Sequence, residues 1–182
     1  MGLVEGDDMS NIIIRKATNE DAVGFVDLVT YVWRDAYKEI LPEEVFLDME
    51  NRREKRIEKF SDRYYCGDDR ICLMAFDNSK VVGIMFGRLV SGYPNFQEYS
   101  DLEALYIDPK YQGMGIGSRL KNEFISWAKE KGSSKFVIGV FKDNKKARSI
   151  YEAWGGILSE QELDFILLNV PYREVFYTYD LL

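Results

Sequence analysis

Histidine is absent from all 182 residues, and that absence alone removes several reaction classes. No Ser-His-Asp or Cys-His pair can form and no imidazole can ligate a metal, so proton transfer falls to Glu, Asp, Tyr, Lys, Cys or water. Cysteine is scarce: Cys66 and Cys72 are too few and too irregularly placed for a disulfide framework or a zinc site, and reduced thiols are expected. No apolar run approaches the roughly 18 residues that span a membrane. The N-terminal MGLVEGDDMS has neither the basic nor the apolar region of a signal peptide, and Gly6 breaks the myristoylation pattern that Met-Gly would begin. A cytoplasmic protein with no membrane partner is expected. Positive charge is in deficit, with 24 Lys and Arg against 31 Asp and Glu, a formal net charge of −7. That balance opposes binding to a polyanionic backbone and suits small cationic substrates, although it also serves solubility. The basic cluster Arg52, Arg53, Lys55 and Arg56 is interleaved with acids, as on a solvated helix face, so no nucleic-acid partner is expected.

What is present is globular: 46% hydrophobic and 14% aromatic residues, enough for one domain with a sizeable core. Residues 1–10 are expected to be a flexible segment and 11–182 a single domain. Asn11–Ala17 is a β-branched run. Thr18 and Asp21 then resemble a capping box before a helix carrying Ala22, Phe25, Val26, Val29, Val32 and Trp33 at helical spacing. Pro42 with Glu43 and Glu44 signals the first turn of a second helix, highly charged by Asn51–Lys59. ICLMAF and KVVGIMFGRLV flank Asp77-Asn78-Ser79 as a hairpin. SGYPNF reads as a loop, YSDLEALYI as a strand, and Asp108-Pro109 as a turn. A helix stopped by Gly132 follows, then the strand SKFVIGV, a short helix ending at glycine, and two tail strands with Pro171 near their junction. The strand-helix-strand unit at Leu102–Val140 inside an otherwise antiparallel pattern implies a mixed sheet with helices on its faces.

The stretch YQGMGIGSRL places Gly113, Gly115 and Gly117 at alternate positions against the start of an amphipathic helix. Glycines can simply make a tight strand-to-helix turn. They also strip side chains from a helix N-terminus, where unpaired N–H groups and partial positive charge receive an anion, most often a phosphate. The dinucleotide fingerprint fails, because Ser118 or Leu120 stands where a glycine or alanine is needed, and the P-loop fails because Ser118-Arg119 stands in place of Gly-Lys.

The spacing Gln112-x-x-Gly115-x-Gly117 after LYIDP does fit another pattern. It resembles the pyrophosphate loop, Gln/Arg-x-x-Gly-x-Gly/Ala, of the GNAT superfamily of acetyl-CoA-dependent N-acetyltransferases. Downstream, GVFKDNKKARSIYEAWG is similar to that superfamily's other cofactor motif: a strand, an Asn, and a helix with a Tyr before a glycine. The resemblance runs from Ile12 to about Leu181, and its details look most like bacterial polyamine acetyltransferases. It implies an α/β fold of α+β character: a central, mixed, mostly antiparallel seven-stranded sheet flanked by about four helices. It implies acetyl-CoA as cofactor, with coenzyme A as product. The residues from Gln112 through Gly113, Met114, Gly115, Ile116, Gly117 and Ser118 to Arg119 would hold its pyrophosphate through backbone N–H groups. Leu105, Tyr106 and Ile107 would offer main-chain groups to the pantetheine arm and thioester. Asn144, which read alone serves equally as a helix N-cap, would contact the pantetheine side.

Tyr151 shares a face with Ala147, Ile150 and Trp154 and reads alone as core; by the resemblance it faces the sulfur and protonates the departing thiolate. For the base, Glu103 is the candidate, since a carboxylate within that strand is costly to bury without a purpose. Asp101, on the same face by alternation, is the runner-up, and both also read as a partly solvated strand end. A family alternative, a Glu on the strand before the Asn, is absent from Val137–Val140, and Gly156 stands where the family usually has an aromatic. Trp33, Tyr37 and the loop Ser91–Ser100 would border the acceptor, although the aromatics read first as core. The expected reaction is direct attack of a primary amine on the thioester in a ternary complex, without metal, and with a small cationic amine or polyamine as partner. Alternatives are a protein N-terminus, lysine or amino-acid-like amine, or a sensor that binds acyl-CoA without turnover. A homodimer is the one oligomer entertained.

Overall fold

The computed structural model describes residues 11–64 and 67–181; the expectations for residues 1–10 and for Cys66 lie outside the described residues. The β-branched run forms β1 (Ile12–Lys16). The Thr18 signal holds: its N–H and hydroxyl donate to the Asp21 carboxylate at 2.7 and 3.0 Å, and Arg15 grips the same carboxylate. From there α1 (Ala22–Tyr37) runs with Phe25, Val26, Val29 and Val32 buried. The hairpin is β2 (Arg70–Asp77) and β3 (Lys80–Arg88), turned through Asn78 in the left-handed region at φ 52°. Its two-residue loop matches the strand twist. Next come β4 (Ser100–Ile107), α5 (Ile116–Glu130), β5 (Lys135–Phe141) and α6 (Lys145–Ala153). The tail is β6 (Ile157–Leu167) and β7 (Val170–Asp180), joined by Leu168 and Asn169, both at positive φ.

The second expected helix is three. It is α2 (Glu43–Asn51), α3 (Arg53–Glu58) and α4 (Phe60–Tyr64), broken where Arg52 (φ −95°, ψ 11°) and Lys59 (φ −91°, ψ 7°) leave helical geometry. The breaks follow from where the apolar residues dock. Val45 and Phe46 pack with Leu41 and Phe141, whereas Ile57, Phe60 and Tyr64 pack beneath α1 against β2 and β3. One straight helix cannot serve both places, so among the described residues six α-helices accompany the sheet where about four were expected. None of the described helices is long and apolar enough to cross a membrane.

The seven strands order as β1-β2-β3-β4-β5-β7-β6, antiparallel throughout except at β4–β5. On one face α5 buries Ile116, Leu120, Phe124 and Ala128 against Met85, Leu102, Phe136 and Ile138. On the other, α1 covers Met74 and Ile84. The β4–β5 contact is brief, with only Ser100↔Phe136 and Asp101↔Val137 in register. On its other side β4 slips register against β3 between Phe86 and Arg88, a bulge that bends the strand away from β5. Gly87 sits in that irregularity because nothing larger fits: a Cβ there would lie 2.5 Å from the Asp101 carbonyl oxygen and 2.6 Å from the Phe124 ring. Gly87→Ala is expected to cost about 1–3 kcal/mol by overpacking, lowering Tm by about 2–4 °C per kcal/mol in a chain this size. An unchanged melting curve would refute this account of the bulge.

Candidate active site

Where β4 and β5 part, their facing edges open into a cavity of about 570 Å³. The Asp108 N–H donates to the Val82 carbonyl of β3 at 2.9 Å. Because antiparallel bonding alternates along a strand, Tyr106 and Ala104 also bond toward β3, which leaves the N–H and C=O of Leu105 and Ile107 directed into the opening. The Ile107 carbonyl confirms the alternation by accepting from Gln112 Nε2 at 3.3 Å. Leu105, Tyr106 and Ile107 all line the cavity on the β4 side, with Ile138, Gly139 and Val140 opposite.

The glycine stretch closes one end. Asp108 caps a 3₁₀ turn at Pro109–Tyr111, and Gly113 (φ 80°) and Gly115 (φ 78°) then swing the chain through the left-handed region into α5. The first intrahelical bond runs from Arg119 N–H to Gly115 O at 3.0 Å, so the N–H groups of Ile116, Gly117 and Ser118 precede it, and no side chain caps them. Such an uncapped helix N-terminus can receive an anion. Gln112, Gly113, Gly115, Ile116, Gly117 and Ser118 line the cavity. Met114 and Arg119 do not; the Arg119 side chain instead donates to the Ile12 carbonyl at 3.2 Å. The loop is braced from below, where Tyr111 donates to Asp77 at 2.7 Å and Lys80 to Asp108 at 2.8 Å. Sequence reading missed Lys146, whose ammonium bridges the cavity to Gln112 Oε1 at 2.6 Å and sets a cation beside the helix N-terminus. Nothing in the run Lys145-Lys146 distinguishes it.

Asn144 is an N-cap: its Oδ1 accepts from the Ala147 N–H at 3.1 Å. It nevertheless lines the cavity, with its side chain beside the Tyr37 hydroxyl. Tyr151 lies there too, on α6. Burial, then the neighbouring Tyr106 and Tyr179, pushes its phenol up, so its proton is retained at neutral pH. Its backbone carbonyl accepts from the Tyr179 hydroxyl at 2.8 Å. That same hydroxyl explains the glycine that departs from the family pattern. A Cβ on Gly156 would stand 2.6 Å from Tyr179 Oη and 2.8 Å from the Tyr151 carbonyl, so the tyrosine of β7 fills the space an aromatic at 156 would need. From α1, Tyr37 reaches the same cavity, and burial followed by the charge of Tyr151 pushes its phenol up, opposed by the Asn144 side chain.

The two candidate carboxylates differ in place. Glu103 lines the cavity and is held by Arg88 Nη2 at 3.0 Å. Asp101 is buried behind it and takes a hydrogen bond from Ser91 Oγ at 3.0 Å. Burial, then the Glu103 charge, pushes its carboxyl up to about 7. A third acid, Glu174 on β7, escaped sequence reading, yet its carboxyl is also pushed up to about 7 by burial and then by Asp101. It stands between Tyr172 and Phe176 by strand alternation, and a carboxylate within a strand, costly to bury without a purpose, is the same signal that singled out Glu103.

The profile of the Acetyltransferase (GNAT) family matches residues 32–156. A thialysine N-epsilon-acetyltransferase of Sus scrofa is 41% identical over 54 residues, 30% of this chain and 32% of that protein; the aligned part thus spans about a third of the curated relative. A PaiA N-acetyltransferase from Thermoplasma acidophilum, solved in complex with coenzyme A, superposes with a TM-score of 0.69 at 20% identity, covering 92% of this chain and 99% of that one. A putative acetyltransferase, yncA, from Salmonella typhimurium, solved with its cofactor acetyl-CoA, gives 0.62 at 17% identity over 94% of both. These two likenesses bear on the fold, which is the mixed, mostly antiparallel seven-stranded one. With more than half its length matched by the profile, and with that fold around an open β4–β5 cleft, the chain belongs to the GNAT acetyltransferase family.

Proposed function

We propose that the chain is an N-acetyltransferase that moves an acetyl group from acetyl-CoA to a primary amine, with a small cationic amine favoured as acceptor. One observation carries the reading. A single cavity gathers an uncapped helix N-terminus, the cleft-facing backbone of Leu105 and Ile107, a carboxylate and a protonated phenol.

The residues fit the donor's chemistry. The N–H groups of Ile116, Gly117 and Ser118, with Lys146 beside them, would hold the pyrophosphate. The cleft-facing groups of Leu105 and Ile107 and the Asn144 amide would take the pantetheine arm as an added strand takes a sheet edge. The donor supplies an acetyl thioester. Glu103 takes a proton from the ammonium, since an amine with pKa near 10 is a nucleophile only when neutral. As the C–N bond forms, the Leu105 N–H stabilises the oxyanion. As the C–S bond breaks, the nitrogen's second proton passes to solvent, and Tyr151 gives its proton to the sulfur and regains one from solvent. The acceptor preference rests on the Glu103 carboxylate in the cavity and on the named activity of the Sus scrofa relative, which concerns an Nε amine.

Gly117 allows a clean test of the donor site. Its Cβ position is 3.8 Å from Ile107 and 4.0 Å from Leu105, so Gly117→Val adds bulk to the cleft without colliding with the fold. Calorimetry should show coenzyme A affinity at least about tenfold weaker with Tm nearly unchanged; equal affinity in a folded variant would remove the glycine loop as the donor site.

Tyr151→Phe keeps the ring and deletes the donor. Loss of a general acid typically costs about 10² to 10⁴ in rate, whereas a lost hydroxyl costs about 1 kcal/mol of stability. The expected result is a large fall in kcat, a KM for acetyl-CoA within a few-fold, and almost unchanged melting. Full kcat when chemistry limits turnover would assign the proton to solvent.

A screen of amines with acetyl-CoA, read by thiol release, addresses the acceptor. Cationic amines should be used, and added salt should raise their KM by screening. Activity confined to neutral or anionic acceptors would overturn the preference.

A further inference from the structure

Beyond the glycine loop the cavity runs along α6. Lys146, Ile150 and Trp154 recur at four-residue spacing, which makes them one stripe of that helix, and all three line the cavity. From α5, Gly117 lines the same cavity, and Lys121 follows one turn later on the same helix face. Lys121 lies outside the wall itself, but its ammonium stands 4.7 Å from the centroid of the Trp154 ring, which belongs to the wall. The two helices thus bound a groove with a phosphate-sized opening at the loop and an indole with a cation over it further on.

The transfer step has no use for Ile150, Trp154 or Lys121. Ile150 is 41% exposed, an apolar side chain kept at the mouth of a polar cavity. Trp154 is half-buried, and its ring lies 5.7 Å from that of Tyr151. Lys121 is half-buried too, and burial alone pushes its ammonium down. Among the described residues no carboxylate pairs with it; Glu152, the acid of α6, instead accepts from the Tyr177 hydroxyl at 2.6 Å. A partly buried ammonium is costly without a counter-charge, and an aromatic face supplies only part of one. An anion seated in the groove would complete it. Beyond its pyrophosphate, coenzyme A carries a purine, which suits a flat apolar wall, and a 3′-phosphate, which suits a cation.

We propose that the groove between α5 and α6 is a nucleotide subsite for the donor, with the adenine against Ile150 and Trp154 and the 3′-phosphate held by Lys121. The protein would then select coenzyme A over 3′-dephospho-coenzyme A, which offers the same thiol and pyrophosphate. The subsite rests on the acetyl-CoA reading above and deepens it. No bond is made or broken there.

Calorimetry compares coenzyme A with 3′-dephospho-coenzyme A on the intact chain, on Lys121→Met and on Lys121→Arg. The intact chain should bind coenzyme A at least about tenfold tighter, and added salt should narrow that ratio by screening. Lys121→Met keeps an unbranched stem on the Trp154 ring and removes the charge. It should erase most of the ratio while 3′-dephospho-coenzyme A affinity stays within about twofold, and Lys121→Arg should retain the ratio. Equal affinity for the two ligands on the intact chain, or a ratio that survives Lys121→Met, overturns the phosphate contact. If Lys121→Met does not fold, Lys121→Gln is read by the same two outcomes. Ile150→Ser, at an exposed position, should weaken both ligands by at least about threefold at an unchanged ratio; unaltered affinities would remove the adenine from this wall. Thiol release from acetyl-CoA with the amine panel keeps the two readings apart. Transfer without discrimination in binding supports the transferase and refutes the subsite; discrimination in binding with no thiol release supports the subsite and refutes the transferase.

Discussion

Between β4 and β5 the ladder holds for two residue pairs and then stops. In the middle of a seven-stranded sheet this is a costly place to break hydrogen bonding, because buried N–H and C=O groups need partners. The bulge opposite Gly87 enforces the break, and the α5 connection makes use of it. A parallel pair requires a crossover helix, and that crossover delivers the N-terminus of α5 to the same opening. Unpaired strand edges and unpaired helix N–H groups therefore face one space. The chemistry of the cleft is a consequence of where the sheet fails to close.

Charge divides that space. At the glycine loop the helix N-terminus and Lys146 are positive, whereas the Glu103 carboxylate lines the β4 side. An anionic donor and a cationic acceptor would be drawn to different ends, and the reacting atoms would meet between them. The net charge of −7 conceals this arrangement, since a sum over the chain carries no direction.

Local signals in the sequence gave the elements well. Periodicity and turn chemistry placed β1, α1, the β2–β3 hairpin, α5 and the tail strands, because each depends on neighbours within a few residues. The motif from Gln112 to Gly117 was legible for the same reason: backbone conformation at glycines is a local property. The breaks at Arg52 and Lys59 were not, since they answer to two separate apolar clusters that no window of sequence contains. Glu174 was missed on similar grounds, because it lies on β7 and only the strand order β4-β5-β7 brings that strand near β4. Met114 and Arg119 show the reverse limit, for a motif marks a stretch of chain and does not say which of its side chains turn away.

Tyr179 donates to the Tyr151 carbonyl and occupies the space that Gly156 leaves empty, while β7 lies between β5 and β6. The strand that follows the other described elements in the chain thus becomes an interior one, and it supports the helix that carries the candidate acid. Without residues 174–180, β5 would have an open flank and α6 no strut, so the cleft is complete only once β7 is in place.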